Sequence, residues 1–175
     1  MKNSTAALLT GMCLFASAFV ADSAQAQSAC TKVGTDKGET IWGTPKSDYI
    51  CAGGGDDVIR GLGGNDLILG GSGADRIFGG GGDDRIKGGA GRDLLEGGDG
   101  NDILRGGGAA DKLRGQAAGD RLYGGGGHDR LYGGGARDLF YTRDGLRDRI
   151  EGGAGRDCAH ADRGIDVAIS VHEYF

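Results

Sequence analysis

An aspartate recurs every nine residues along most of this chain, and this period constrains the fold more than any other feature. The aspartates keep an unbroken phase from Asp48 to Asp138. An aliphatic or aromatic residue stands two positions after each of them, from Ile50 to Phe140. One additional residue then shifts the phase, and Asp148 resumes it. So regular a repeat predicts a solenoid, in which each unit stacks on its neighbours.

Glycine fills most of the space between the aspartates. The chain has 40 glycines and one proline among 175 residues. Collagen is excluded because glycine does not recur every third residue. A conventional globular core is excluded because glycine costs ordering entropy and buries no side chain. The clearest units, such as GGSGADRIF at 70–78 and GGGGDDRIK at 79–87, read glycine, glycine, any, glycine, any, aspartate, any, aliphatic, any.

Each unit predicts one short strand and one turn. In a strand such as Arg76-Ile77-Phe78 the middle side chain points to one side and its neighbours to the other, so the middle residues form the core. The six glycine-rich residues form a turn, since glycine adopts positive φ without a steric penalty. Two units complete a coil of 18 residues, which places Asp75 over Asp93 and Asp84 over Asp102, with successive coils about 4.8 Å apart.

These units resemble the RTX, or hemolysin-type, family of calcium-binding nonapeptide-repeat proteins, over about residues 34–168. The resemblance implies an all-β fold, a parallel β-roll solenoid with short N- and C-terminal caps. It also implies Ca²⁺ ions between consecutive turns, held by the repeat aspartates and by turn carbonyls. Rows of carboxylates at strand spacing repel one another and need a cation, and an all-oxygen ligand set suits calcium.

The resemblance assigns metal ligands residue by residue. The side-chain ligands are the aspartates of the matching repeats: Asp57, Asp66, Asp75, Asp84, Asp93, Asp102, Asp111, Asp120, Asp129, Asp138 and Asp157. The backbone ligands are turn glycines: Gly71, Gly73, Gly80, Gly82, Gly89, Gly91, Gly98, Gly100, Gly125 and Gly127.

Some units depart from the glycine pattern. Residues with a Cβ replace the second or third glycine at five positions: Leu62, Ala109, Gln116, Ala118 and Ala136. A Cβ penalises left-handed backbone conformations, so we expect weaker or missing calcium around Asp111 and Asp120.

The chain divides into four segments. Residues 1–26 contain an early lysine, an apolar stretch of about 16 residues and Ala24-Gln25-Ala26, the pattern of a cleaved signal peptide. A membrane anchor is the alternative, but the stretch is short for one, and no other stretch suggests a transmembrane segment. Residues 27–42 form an N-terminal cap, 43–168 the roll and 169–175 a C-terminal cap. We therefore expect a secreted extracellular or periplasmic protein.

Three cysteines follow the expected signal peptide. In an oxidising compartment Cys30 and Cys51 can form a disulfide, which would stabilise the fold by roughly 3 kcal/mol. Cys158 then remains as a free thiol or forms an intermolecular disulfide in a dimer.

The residues that flank the core positions make both outer faces basic. A candidate anion-binding face consists of Arg60, Arg76, Lys112, Arg114 and Arg130. Its partner would be an acidic polysaccharide or a cell-surface anion, with no nucleic acid expected. Bound calcium would neutralise the aspartates and leave these faces dominant. The alternative is that the long cations only cover apolar sheet surface and resist edge aggregation.

No motif predicts catalysis. The three histidines, His128, His160 and His172, stand in no metalloprotease motif, and Ser72 is not in a nucleophile elbow. The repeats start within about ten residues of the expected mature terminus, which would leave no room for a catalytic domain before them. We therefore expect a secreted calcium-binding protein with a structural or interaction role, whose folding is coupled to extracellular calcium, and not an enzyme.

Overall fold

The computed structural model describes residues 30–174, which form strands, turns and bends without any helix. A helix that could cross a membrane is accordingly not found in this part of the chain. The expected signal peptide at 1–26, the first three residues of the expected N-terminal cap and the last residue, Phe175, lie outside the described residues.

Seventeen strands alternate between two parallel sheets. Sheet A is nine-stranded and consists of the odd-numbered strands: β1 (Lys32–Val33), β3 (Tyr49–Gly54), β5 (Leu67–Ser72), β7 (Arg85–Ala90), β9 (Ile103–Gly108), β11 (Arg121–Gly126), β13 (Leu139–Thr142), β15 (Cys158–Ala161) and β17 (Glu173–Tyr174). Sheet B is eight-stranded and consists of the even-numbered strands: β2 (Thr40–Trp42), β4 (Val58–Gly63), β6 (Arg76–Gly81), β8 (Leu94–Asp99), β10 (Lys112–Ala117), β12 (Arg130–Gly135), β14 (Arg149–Ala154) and β16 (Val167–Ile169). The chain therefore crosses from one sheet to the other at every turn, and the predicted parallel solenoid is confirmed.

The register between neighbouring strands follows the repeat. Ile59 pairs with Ile77 and Ile77 with Leu95, each 18 residues further along the chain. At the additional residue the step becomes 19, so that Leu131 pairs with Ile150. The shift is absorbed in the turn between β13 and β14, and the stacking of the core is preserved.

Most strands are six residues long, twice the predicted three. The strand β6 continues from Arg76 through the first three glycines of the next unit, ending at Gly81. These glycines pair in register with the equivalent residues one coil away, for example Gly80 with Gly98. Because the turns also stack every 18 residues, the parallel ladder continues into them, which the side-chain pattern alone did not reveal.

The core is a double row of inward side chains between the sheets, one from each strand. Its fully buried members are Ile50, Ile59, Ile68, Ile77, Ile86, Leu95, Leu104, Leu113, Leu122, Leu131, Phe140 and Ile150. Ala159 continues the row, and Ala168 is only partly buried against it. The predicted core positions from Ile50 to Phe140 are thus confirmed, and smaller residues continue the row at the C-terminal end.

The ends of the solenoid are built from the same coils as its middle. In the segment predicted as the N-terminal cap, β1 and β2 continue sheets A and B, and Lys32 pairs in register with Ile50. A charged residue thus ends this hydrophobic row, which discourages edge-to-edge association. The disulfide between Cys30 and Cys51 joins this coil to the next, with the two Cα atoms 6.0 Å apart. Strands β16 and β17 extend the sheets at the C-terminal end.

Cys158 is buried on sheet A, with 3% of its surface exposed. A guanidinium nitrogen of Arg137 donates a hydrogen bond to its sulfur at 3.3 Å. The intermolecular disulfide stays a prediction, and it would require this strand to open.

Candidate metal sites at the turns

The repeat aspartates form two ladders, one along each edge where the chain passes between the sheets. From Asp66 to Asp166, Oδ1 of each ladder aspartate accepts a hydrogen bond from the backbone amide of the aspartate one coil earlier, and Oδ1 of Asp57 accepts one from the amide of Glu39. The amide of Asp66 donates to Asp84 at 2.8 Å, and the amide of Asp84 donates to Asp102 at 2.8 Å. The same bond spans the additional residue, from Asp129 to Asp148. The predicted stacking of the aspartates is confirmed, and each carboxylate also joins two coils.

The second carboxylate oxygen is buried and has no hydrogen-bond partner in most of these residues. This holds for Oδ2 of Asp57, Asp66, Asp75, Asp84, Asp93, Asp102, Asp111, Asp120, Asp129, Asp138, Asp148 and Asp157. A buried oxygen without a partner costs about 1–3 kcal/mol, and more if it carries charge. A row of such oxygens therefore requires protons or cations, and hard oxygen ligands of this kind suit calcium.

The unpaired oxygen points at the first glycine of its own unit. A Cβ placed on Gly97 would collide with Oδ2 of Asp102 and would lie 2.7 Å from its Cγ. Gly88 stands in the same relation to Asp93. Neither glycine has a positive φ, so the first glycine provides space for the carboxylate and does not serve the backbone conformation. Sequence reasoning assigned conformational freedom to all the glycines and missed this separate role.

Burial raises the pKa of the ladder aspartates from Asp57 to Asp148 above the ordinary value. The pKa of Asp84 rises to about 7, because burial disfavours the charged form and Asp102 and Asp66 add repulsion. The pKa of Asp120 rises to about 8 by burial and by the proximity of Asp102 and Asp138. The hydrogen bond from the preceding amide opposes these shifts only in part. Without a cation, part of each ladder would therefore bind protons near neutral pH.

Near the two ends of the solenoid, both oxygens of the carboxylates accept hydrogen bonds. Oδ2 of Asp48 accepts hydrogen bonds from the amide of Thr44 at 2.6 Å and from its hydroxyl at 2.8 Å. The pKa of Asp48 lies below its ordinary value. Burial disfavours its charged form, but the hydrogen bonds from Thr44 and Thr31 stabilise that form more strongly. Glu39, at the aspartate position one coil before Asp57, likewise accepts from the amide and the hydroxyl of Thr35.

At the C-terminal end, Oδ2 of Asp166 accepts from the hydroxyl of Thr142 at 3.0 Å and from the amide of Asp162 at 2.8 Å. The unpaired oxygens are thus confined to the aspartates from Asp57 to Asp157. A threonine four residues before the acid, such as Thr44 before Asp48, is a local sequence signal for a carboxylate with its own partner, and the reading of the repeats missed it.

Backbone oxygens line the same edges. A Cβ on Gly82 would collide with the carbonyl oxygen of Gly64, and one on Gly100 with that of Gly82. The carbonyls of the turns therefore stack along each edge next to the carboxylates. No group of three or more His, Cys, Asp or Glu side chains converges among residues 30–174. A metal ion at these edges would thus need carbonyl ligands in addition to aspartates, as the resemblance implies.

The units with replaced glycines keep the same turn. Ala109, Ala118 and Ala136 adopt positive φ values of 73°, 68° and 70°, and Leu62 and Gln116 adopt 84° and 85°. These residues therefore carry the backbone strain that the sequence predicted.

The ladder nevertheless passes through them without a break. The bonds from Asp93 to Asp111 and from Asp102 to Asp120 are both 2.8 Å long. The weaker calcium binding expected at these turns stays a prediction.

The candidate anion-binding residues all lie on the outer face of sheet B, beside core positions: Arg60, Arg76, Lys112, Arg114 and Arg130. The guanidinium of Arg60 lies between two rings, with its carbon 5.3 Å from the centroid of Trp42 and 4.6 Å from that of Phe78. Arg76 and Arg130 are exposed.

The other two cations of this set also have partners on the face. Arg114 donates to Glu96 at 2.6 Å, and the ammonium of Lys112 lies 5.5 Å from the ring centroid of Tyr132. Three of the five predicted cations thus contact side chains of the same face. The periodicity placed them together but did not reveal these pairs.

His128 and His160 lie in different environments, and neither belongs to a catalytic arrangement. Nδ1 of His128 lies 3.0 Å from the carbonyl oxygen of Arg147 in a turn. His160 stacks on Tyr141 on the outer face of sheet A. Neither contact forms part of a nucleophile and base pair.

Comparison with known proteins agrees with the repeat and with its interruption. The family model of the RTX calcium-binding nonapeptide repeat, in four copies, matches residues 33–68, 52–86, 69–104, 78–113, 105–140 and 147–168. Residues 141–146, which contain the irregular turn after β13, fall between two matches. A search of curated proteins finds no match. Because the matches cover most of the chain, it belongs to the RTX calcium-binding nonapeptide-repeat family.

Proposed function

We propose that this chain is a secreted calcium-binding repeat protein with a structural or interaction role, whose folding is coupled to extracellular calcium. The observation that carries the proposal is the row of twelve buried and unpaired Oδ2 atoms along the two edges. A fold that buries so many carboxylates without partners is strongly penalised at neutral pH. Cations bound at the turns would offset this penalty, so that the ion becomes part of the fold.

The residues that would hold the ions are the aspartates from Asp57 to Asp157, together with turn carbonyls. Each aspartate keeps one oxygen on the amide of the preceding coil and has the other available. The chain thus supplies fixed oxygens at strand spacing, and bound calcium would supply the positive charge between them. Three acids would not require an ion, because protein groups already donate hydrogen bonds to their second carboxylate oxygens: Glu39, Asp48 and Asp166.

The expected location rests on two features. The first 26 residues have the pattern of a signal peptide. The disulfide between Cys30 and Cys51 is of a kind that persists in oxidising compartments. Calcium is also available there at the concentrations that weak extracellular sites need, on the order of 10⁻⁴–10⁻³ M.

The test is far-UV circular dichroism of the chain titrated with calcium, and with magnesium as the control ion. We expect a coil spectrum in chelator that becomes a β spectrum cooperatively with calcium but not with magnesium. Asp102→Asn removes the charge at a buried, unpaired site, and we expect it to raise the calcium midpoint. The matched control is Asp83→Asn, because Asp83 is exposed and its carboxylate already accepts a hydrogen bond from the amide of Asn101. A β spectrum in chelator that calcium does not stabilise would contradict the proposal.

A second candidate function is calcium-dependent binding of an acidic polysaccharide or an anionic cell surface. The cations beside the core positions favour it, including the exposed Arg76 and Arg130 on sheet B. Retention on such a polymer would require calcium, and it would weaken with salt because the attraction is electrostatic.

A further inference from the structure

One row of outward side chains on sheet A presents mainly hydrogen-bond donors. It runs across five neighbouring strands in exact register and consists of Lys87, Arg105, Tyr123, Tyr141 and His160. We call these five residues the donor row. Successive members stand one strand apart, about 4.8 Å.

The rings of the donor row stack on one another. The ring centroids of Tyr123 and Tyr141 are 4.5 Å apart with an interplanar angle of 6°. Those of Tyr141 and His160 are 5.1 Å apart with an angle of 1°. The guanidinium carbon of Arg105 lies 5.1 Å from the Tyr123 centroid and extends the stack. The inner ring faces are therefore covered, and the row presents ring edges with phenol hydroxyls and an imidazole.

The charge of this face has one sign. Arg85 and Arg121 lie in the neighbouring row of outward positions, both exposed. No aspartate or glutamate flanks a core position on the strands of sheet A from β3 to β15. On sheet B, in contrast, Glu96 and Glu151 stand between the cations and pair with Arg114 and Arg149. An anion that approaches sheet A meets no carboxylate on the face itself.

A shallow hollow lies at the aromatic end of the row. Tyr123, Gly125, Tyr141, Arg143 and His160 line it, and its volume is about 240 Å³. Pockets that enclose a whole drug-sized ligand are larger, about 300–1,000 Å³. This hollow therefore fits one unit of a polymer that continues along the sheet.

We propose that the donor row and its flanking arginines, Arg85 and Arg121, bind a carboxylated polysaccharide. Guanidinium, ammonium, phenol and imidazole groups would donate hydrogen bonds to its carboxylates and hydroxyls. Single-stranded nucleic acid fits this face less well, because its bases bind by stacking on free ring faces, and those of Tyr123 and Tyr141 contact each other. The inference rests on the second proposed function and transfers its site from sheet B to sheet A.

The test measures binding of the full chain to hyaluronate in saturating calcium, with neutral dextran and oligo-dT as comparison ligands. Hyaluronate is chosen because calcium does not gel it. Circular dichroism of each sample reports the fold separately from binding. We expect binding to hyaluronate that salt weakens, no binding to dextran and weaker binding to oligo-dT.

Two pairs of variants locate the site. Lys87→Glu with Arg105→Glu is expected to weaken hyaluronate binding by about tenfold or more, because it replaces two cationic hydrogen-bond donors with anions. The corresponding pair on sheet B, Arg76→Glu with Arg130→Glu, tests the face that the sequence favoured, and we expect it to weaken hyaluronate binding clearly less than the sheet A pair does. Tyr123→Phe with Tyr141→Phe keeps the stacked rings and removes only hydroxyls, and we expect a loss of about threefold to tenfold.

The outcomes separate this inference from the proposals that it rests on. A folded, calcium-loaded chain that does not bind hyaluronate overturns the inference and leaves the calcium-coupled fold intact. An equal loss in the sheet A and sheet B pairs, or tighter binding to oligo-dT, also overturns it. A chain that calcium does not fold overturns the calcium proposal itself. If the glutamate variants do not fold, the phenylalanine pair decides, and unchanged affinity there contradicts a role for the phenol hydroxyls.

Discussion

Replacing Gly97 with alanine should reveal the space that the carboxylates need. A Cβ on Gly97 would collide with Oδ2 of Asp102 and would lie 2.7 Å from its Cγ and 2.9 Å from its Cβ. The φ of Gly97 is not positive, so the substitution imposes no unusual backbone conformation. Any loss of stability would therefore report the crowding of Asp102.

The magnitude follows from the two contacts at risk. Overpacking a buried site costs about 1–3 kcal/mol. Displacing Asp102 would also weaken its bond from the amide of Asp84, at 2.8 Å, so we expect a value toward the upper end of this range. For a domain of this size the loss corresponds to a decrease of roughly 5–10 °C in Tm. Alanine does occur at the equivalent position, Ala52, one coil from the N-terminal end, which argues against a larger cost.

The assay is thermal and urea unfolding in saturating calcium, followed by circular dichroism. The matched control is Gly81→Ala, because a Cβ on Gly81 would meet no atom within 4 Å and its φ is not positive. We expect this control to be neutral or to stabilise by up to about 1 kcal/mol, since alanine restricts the unfolded chain. Equal stability of the Gly97 and Gly81 variants would refute the inference that the first glycine makes room for the carboxylate.

Three further predictions concern the acids and the N-terminal coil. In chelator, acidification from about pH 8 to about pH 4.5 should shift the chain from coil toward the β fold. Burial raises the pKa of Asp84 to about 7 and of Asp120 to about 8, so the folded state binds more protons than the unfolded state and its stability falls as pH rises through this window. Far-UV circular dichroism in chelator across this pH range checks the sign, and a β signal that grows as the pH rises would contradict it. Thr44→Val removes the hydroxyl that donates to Asp48 at 2.8 Å and should lower the free energy of unfolding by about 1 kcal/mol. The control is Thr40→Val, because Thr40 is exposed on β2, and it should leave the free energy of unfolding unchanged; thermal unfolding measures both. Cys51→Ala should lower the unfolding free energy by about 3 kcal/mol, because the disulfide joins residues 21 positions apart; reductant should lower the Tm of the parent chain but not that of the variant.

The fold was predictable because one period determines both its strands and its core. The aspartate and the apolar residue after it fix the inward direction of every strand from Ile50 to Ile150, and the structure adds only strand length. Even the shift after Phe140 was visible, since a solenoid tolerates an additional residue only in a turn.

The site was less predictable because its determinants join residues of different coils. The sequence places Asp84 over Asp102 but does not show that an amide of one coil occupies one oxygen of the next. It also does not show that Thr142 satisfies Asp166, 24 residues away. The partners of the surface cations were missed for the same reason, since Glu96 and Arg114 meet only through the 18-residue register.

The amide-to-carboxylate bonds give the solenoid a direction. Between the repeat aspartates the donor belongs to the earlier coil and the acceptor to the later one, from Asp48 and Asp66 to Asp148 and Asp166. As the chain emerges from its N-terminus, each new coil brings a carboxylate to an amide that is already in place. The two ends of the ladders close differently: at the N-terminal end threonines donate to Glu39 and Asp48, and at the C-terminal end the amide of Asp166 donates to the carbonyl of Asp162. Assembly from the first coil to the last matches the order of synthesis.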